Sequence, residues 1–188
     1  MTELIAGIFT VAVLGTTIWL CRGLRLNTRA LCYGGLMCAA KHAHACQLLQ
    51  KELHTGGFCR EYLAVVEGTV EGEFTVDAPI AKEDAASVRR VVDLARGKPS
   101  VTHARAMERG NGRTLLRLRL ETGRTHQIRV HMAHIGHPVI GDFLYGQEDA
   151  ALPGRFALHS AYLALCWDGK RMAWESPLPE ELKALLGE

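Results

Sequence analysis

No two cysteines in this sequence are spaced as CxxC, and its six cysteines, at 21, 32, 38, 46, 59 and 166, follow no regular interval. That argues against a disulfide framework and makes reduced thiols in a cytoplasmic protein the expectation. Cys38, His42, His44 and Cys46 lie close together, but their spacing fits no common four-ligand zinc set, and a helix would spread them around its circumference. A charge surplus is also lacking, since the formal net charge of +2 does not by itself nominate a polyanion binder. Heptads and long helical repeats are absent, which excludes coiled coils and solenoids. A cleavable secretory signal is not evident, because the first residues carry Glu3 and neither Lys nor Arg ahead of the apolar run. Aspartate does not occur before Asp77.

What is present is a chain of 188 residues, 48% apolar, enough for one core. Its charged fraction of 22% gives no sign of disorder. The distribution of charge says more than the total. Between Val101 and His131 seven arginines (105, 109, 113, 117, 119, 124 and 129) face only Glu108 and Glu121. Such a local basic surface suits phosphate contacts, although a solvated strand-and-loop surface would read the same way.

Leu4–Cys21 is uncharged throughout and is followed by Arg22, Arg25 and Arg29. One reading is a membrane anchor, since a helix rising about 1.5 Å per residue would nearly cross a hydrocarbon core with its arginines on the cytosolic side. Another is a buried hairpin over Ile8–Trp19, a stretch rich in Val, Ile and Thr with Gly15 in its middle.

The densest stretch is Arg119–Gly146, RLETGRTHQIRVHMAHIGHPVIGDFLYG. Ahead of it Leu116, Leu118 and Leu120 alternate with Arg117, Arg119 and Glu121, which predicts a strand with one buried and one wet side. Thr122-Gly123 breaks that strand. Thr125 is then expected to cap a short helix over His126–Ile135, which Gly136 and Pro138 end. Arg124 falls in the corner between strand and helix, where backbone N–H groups and a guanidinium converge on a phosphate or carboxylate.

Elsewhere the spacing predicts a helix over Lys41–Leu53 and a strand over Arg60–Thr69 with Tyr62, Ala64 and Val66 on one side. Phe74–Ile80 reads as a short strand, and Glu83–Arg96 as a helix through Val88, Val91, Val92 and Ala95. Arg109-Gly110-Asn111-Gly112 is a hairpin turn. Pro138–Ile140 is a brief strand, Phe156–Trp167 a longer one, and a last helix begins at Pro179 with Glu180-Glu181. The fold class expected is α+β, a mostly antiparallel, mixed and twisted sheet with flanking helices.

The run GRTHQIRVHMAHIGHPVIGD closely resembles the signature of the RluA-type pseudouridine synthases, which convert uridine in RNA to its C-glycoside isomer. Arg60–Gly68 resembles that family's second motif, Gly97–Thr102 its central segment, and Phe156–Ser160 its late strand. From about Gly35 onward the motifs come in the family's order, a far more specific match than a lone glycine pattern. The resemblance implies a pseudouridine-synthase-like catalytic domain over 35–188, incomplete at its N-terminal side, preceded by an atypical apolar segment over 1–34. It implies that Tyr62 stacks on an extruded uracil, that Arg124 holds the catalytic carboxylate ionised, and that the two face each other across one pyrimidine-sized pocket. Arg60, Arg117, Arg119, His126, Gln127, Arg129 and His131 are expected to contact RNA, either rRNA or tRNA. His126, His131, His134 and His137 lack a carboxylate at ligand spacing, so RNA contact or core filling is expected in place of metal. The reaction calls for no organic cofactor and no metal. A monomer is expected, in the cytoplasm, with membrane contact through residues 4–21 as the alternative.

One family feature is missing. The first motif has the form H/N-R-L-D-x-x-T-S-G, and Gly34-Gly35 falls where its Ser-Gly belongs. Counting back puts Ala30 at the aspartate, while a shifted register through Arg25-Leu26-Asn27 puts Asn27 there. In the family that carboxylate is the nucleophile that lets the base detach, rotate and reattach through carbon. Three readings follow: a synthase that is weak or inactive, a non-catalytic RNA-binding relative, or a mis-started product in which residues 1–34 replace the true beginning.

Overall fold

A computed structural model describes residues 10–14, 34–40, 43–53, 57–167 and 169–187. Asn27 and Ala30 lie outside the described residues, as does all of the apolar beginning except Thr10–Leu14. In chain order the elements are β1 (Thr10–Leu14), β2 (Gly34–Ala39), α1 (Ala43–Glu52), β3 (Cys59–Glu67), β4 (Glu73–Asp77), β5 (Ile80–Lys82), β6 (Arg90–Val92), β7 (Val101–Gly110), β8 (Arg113–Leu120), α2 (Gln127–His134), β9 (Leu158–Trp167), β10 (Lys170–Glu175) and α3 (Glu180–Lys183). The chain divides into two compact units, residues 1–60 with 160–177 and residues 61–159 with 178–188.

In the first unit β1 pairs antiparallel with β2, Thr10 opposite Ala39 and Leu14 opposite Gly35. These five residues of the apolar beginning are therefore a strand. As a strand they are no part of a membrane helix, and the rest of Ile8–Trp19, on which the expected hairpin depends, lies outside the described residues. Among the described residues no helix is long and apolar enough to cross a membrane. β2 neighbours β9 in the sheet, and Gly35, at φ +102°, lies so close to the Ser160 carbonyl that a Cβ would overlap it. Only glycine meets both demands. β9 and β10 form a hairpin with Lys170 opposite Trp167. β10 was not expected from the sequence.

The second unit holds the antiparallel series β3-β8-β7-β4. β7 and β8 join through Asn111 (φ 52°) and Gly112 (φ 68°), the left-handed pair that a tight hairpin turn demands. Ala64, Val66, Leu116 and Leu118 are fully buried in this sheet. Leu182, Leu185 and Leu186, from α3 and the single 3₁₀ turn after it, are buried too. Pro138–Ile140 makes only an isolated bridge, Val139 opposite Val66, where a strand was expected.

Register decides which side chains share a face, since directly opposed residues project the same way. One face carries the rows Glu61, Arg119, His103 and Thr75, and Leu63, Arg117, Arg105 and Glu73. The other carries Tyr62, Leu118, Ala104 and Phe74, with Thr102 and Val76 in the row beyond. α2 covers this second face, because His131 bonds to Thr102 across it.

The helix expected over Glu83–Arg96 does not form. β6 pairs there with β5, Ile80 opposite Val92 and Lys82 opposite Arg90. Asp84 Oδ1 accepts the N–H groups of Ala86 and Ser87, and Asp93 Oδ1 those of Ala95 and Arg96. Side-chain-to-backbone bonds of this kind offer the chain turns in place of helical turns.

Candidate functional site

The corner after β8 is organised by Gln127, a side chain only 2% exposed. Its Oε1 accepts the Arg124 N–H at 2.9 Å and the Thr122 hydroxyl at 2.8 Å. Its Nε2 donates to the Val101 carbonyl at 3.0 Å and to Thr102 Oγ1 at 3.1 Å. Thr122 Oγ1 in turn accepts the Val101 N–H at 3.0 Å. One amide thus ties the 122–124 turn to the start of β7 with all four bonds inside the protein.

The network continues inward. Thr102 Oγ1 donates to His131 Nδ1 at 2.9 Å, and His131 Nε2 donates to the Ala78 carbonyl at 2.9 Å. Since a carbonyl can only accept, His131 is the neutral Nε2–H tautomer. Burial pushes its pKa below the ordinary histidine value. Below it on α2, Arg129 grips Asp142 through Nε–Oδ2 and Nη2–Oδ1, both 2.6 Å, and its guanidinium lies 4.3 Å from the Phe156 ring centroid and 4.9 Å from that of Tyr145.

His126 opens α2 at φ 58°, a left-handed conformation uncommon for a residue with a side chain. Thr125 is therefore not the cap expected of it, and no side chain caps this helix. The Tyr145 hydroxyl accepts the Arg90 N–H at 2.8 Å and donates to His126 Nδ1 at 2.8 Å. Burial, followed by the charges of Arg129 and Arg90, lowers the His126 pKa, while burial raises that of Tyr145. Both effects keep the pair neutral.

Arg124 is exposed, and its Nε donates to the Pro99 carbonyl at 3.2 Å. With Ile80, Ala81, Lys82, Arg90, Arg96, Lys98 and Thr125 it lines a cavity of about 420 Å³. Tyr62, half-buried on β3, does not line it. Arg124 leans toward the start of β7, two strands from β3, which at about 4.8 Å per strand is roughly 10 Å. Arg117 and Arg119 are exposed on the face opposite Tyr62, and Arg117 pairs with Glu61 at 3.5 Å. Arg60, in the first unit, holds its guanidinium 5.2 Å from the Phe58 ring centroid.

The side chains expected to form one RNA-facing floor are thus sorted into three groups. Arg124 and His126 stand at the corner. Arg117 and Arg119 stand on the far face of the sheet. Gln127, Arg129 and His131 are buried, at 2%, 4% and 0% exposure, with their polar groups bonded inside the protein, so direct RNA contact gives way to bracing the corner. Lys82, Arg90, Arg96 and Lys98 were not anticipated as a group, because Glu83–Arg96, which holds β6, was read as helix and its pairing with β5 was not foreseen. Among the described residues no three His, Cys, Asp or Glu side chains converge as a metal site requires.

Residues 34–134, which include this corner and its cavity, match the family model described as RNA pseudouridylate synthase. The chain belongs to that family. Its RluA type follows from the relatives: it is 44% identical over 163 residues to ribosomal large subunit pseudouridine synthase D of Nitrosomonas europaea and 41% identical over 167 residues to that of Escherichia coli. Each comparison takes in 81% of this chain but 47% and 51% of the relative, so the chain spans about half the length of these curated relatives. Among solved structures, human RNA pseudouridylate synthase domain containing 1 superposes with a TM-score of 0.66 at 28% identity, over 77% of this chain and 64% of the human one. A second human family structure, domain containing 4, gives 0.66 at 20% identity over 82% and 72%, and speaks for the fold alone. The bracing by Gln127 is what gives the corner at Arg124 its shape.

Proposed function

We propose that this pseudouridine synthase family domain binds the RNA of the large ribosomal subunit and isomerises uridine slowly or not at all. The observation that carries the reading is the state of Arg124. The corner presents its guanidinium outward, and among the described residues no carboxylate pairs with it. An anion must come from outside, and RNA supplies one at every nucleotide. The relatives, ribosomal large subunit pseudouridine synthases, direct the choice to large-subunit RNA.

The slow step follows from chemistry. By the family's pattern Tyr62 stacks on an extruded uracil and Arg124 holds a nucleophilic carboxylate ionised. At the matching positions this sequence offers Asn27 or Ala30. An asparagine amide carries no negative charge for the attack, and an alanine offers no nucleophile at all. Arg117 and Arg119 would meet RNA only where the strand wraps the far face of the sheet.

The test has two arms on one preparation. Retention of a large-subunit RNA fragment, weakened by added salt, measures binding, and tritium release from uridine labelled at C5 measures isomerisation. Salt-sensitive binding with background release is the expected pair. Absence of binding would remove the reading, and rapid release would show a working synthase.

A further inference from the structure

We propose that the cavity lined by Lys82, Arg90, Lys98 and Arg124 seats RNA backbone phosphates adjoining the nucleotide that meets Arg124. This rests on the RNA reading above and assigns that reading a second set of residues.

Three observations carry it. The first is charge balance. On the far face of the sheet Arg105 is matched with Glu73 at 3.4 Å and Arg117 with Glu61 at 3.5 Å, while Arg119 has no carboxylate partner among the described residues; beyond the bulge of β7, Arg109 is matched with Glu71 at 2.6 Å. Around the cavity only Arg96 is matched, with Asp93 at 2.7 Å. Among the described residues Lys82, Arg90, Lys98 and Arg124 have no carboxylate partner. Four like charges around one concavity repel one another, and an anion in the middle reverses the sign of that interaction.

The second is positioning. Lys82 Nζ donates to the Ala85 carbonyl, Arg90 Nη1 to the carbonyls of Val88 and Arg89, and Arg124 Nε to that of Pro99. Neutral carbonyls hold these side chains without cancelling their charge, and each guanidinium keeps donors to spare out of its five. Lys98 is fixed through its backbone, which exchanges both hydrogen bonds with Ile80, at 3.0 and 2.9 Å. Three of the four cations are thus held in place before any ligand arrives, and so is the backbone that carries Lys98.

The third is access and size. Lys82, Lys98 and Arg124 are exposed, and about 420 Å³ falls within the range of small-ligand sites, enough for a phosphodiester group with its shell. Phosphate contacts set the position of a strand without reading its bases. A seat beside Arg124 would therefore fix which nucleotide arrives at the corner while leaving base choice to other groups.

The decisive experiment is the salt dependence of binding to a single-stranded RNA oligonucleotide, measured for the whole chain, for Lys82→Gln and Lys98→Gln, and for Arg105→Gln on the far face. For single strands the slope of log K against log salt is about −0.7 per phosphate neutralised. Each lysine variant is expected to flatten the slope by about 0.7, to weaken binding equally for different sequences, and to match the wild-type far-UV spectrum, while Arg105→Gln keeps the wild-type slope. Wild-type slopes in both lysine variants would overturn the proposal and leave the RNA reading standing. So would an equal flattening in Arg105→Gln, which would put the RNA track on the far face. Wild-type protein that fails to bind RNA at all would remove both readings.

Discussion

Arg129 and Asp142 form a two-pronged ion pair, both contacts 2.6 Å long, with side chains only 5% and 0% exposed. Asp142 Oδ1 also accepts the N–H groups of Leu144 and Tyr145, so the pair fixes the loop that delivers the Tyr145 hydroxyl to His126. The corner and the loop are in this way fastened to one helix.

Removing one partner strands the other charge in a dry site, which costs about 3–5 kcal/mol. Arg129→Ala is expected to lose that much stability in urea unfolding. A loss below about 1 kcal/mol would mean that the pair is solvated in solution and does not fasten the loop.

Gln127 supports Arg124 from behind. Gln127→Ala leaves the Arg124 N–H and the Thr122 hydroxyl short of an acceptor, at about 1–3 kcal/mol for each group left unsatisfied out of reach of water. Amide exchange at Arg124 should then speed up, and RNA affinity should fall although Gln127 itself is out of reach of RNA. Unchanged exchange at Arg124 would show that the turn holds without the amide.

His131 gives the protein a pH dependence with a definite sign. Its folded pKa is depressed below the ordinary 6.5, chiefly by burial. The unfolded chain therefore takes up a proton at a pH where the folded one does not, and stability rises with pH across that interval. The contribution is complete above about 6.5 and is lost as pH falls through the lower, folded value. Urea midpoints measured from pH 7.5 down to 5 should drop, and His131→Gln should flatten the drop. Equal slopes in the two proteins would contradict the assignment.

Much of this was legible in the sequence, for physical reasons that also mark where legibility ends. The alternation of leucine and arginine in β8 announced a two-faced strand, and Asn111-Gly112 announced the turn before it. The same alternation placed Arg117 and Arg119 away from Leu118, but only the β3–β8 register, Tyr62 opposite Leu118, reveals that they also turn away from Tyr62. Gln127, Arg129 and His131 carry the polar groups that RNA contact would use. Burial turns those groups inward, and no local pattern records burial. The apolar spacing of Val88, Val91 and Val92 suits a helix as well as it suits β6. What decides is bonding by Asp84 and Asp93 to backbone two and three residues on, together with pairing to Ile80–Lys82. The basic cavity stayed hidden for the same reason, since its cations come together only through that pairing.

The most direct test of the central claim is tritium release from C5-labelled uridine in a large-subunit RNA fragment, with the wild-type chain, Asn27→Asp and Ala30→Asp compared under conditions where all three bind. The account predicts background release by the wild-type chain and release above background in one of the two variants. Rapid release by the wild-type chain, continuing over many equivalents per protein, would contradict it.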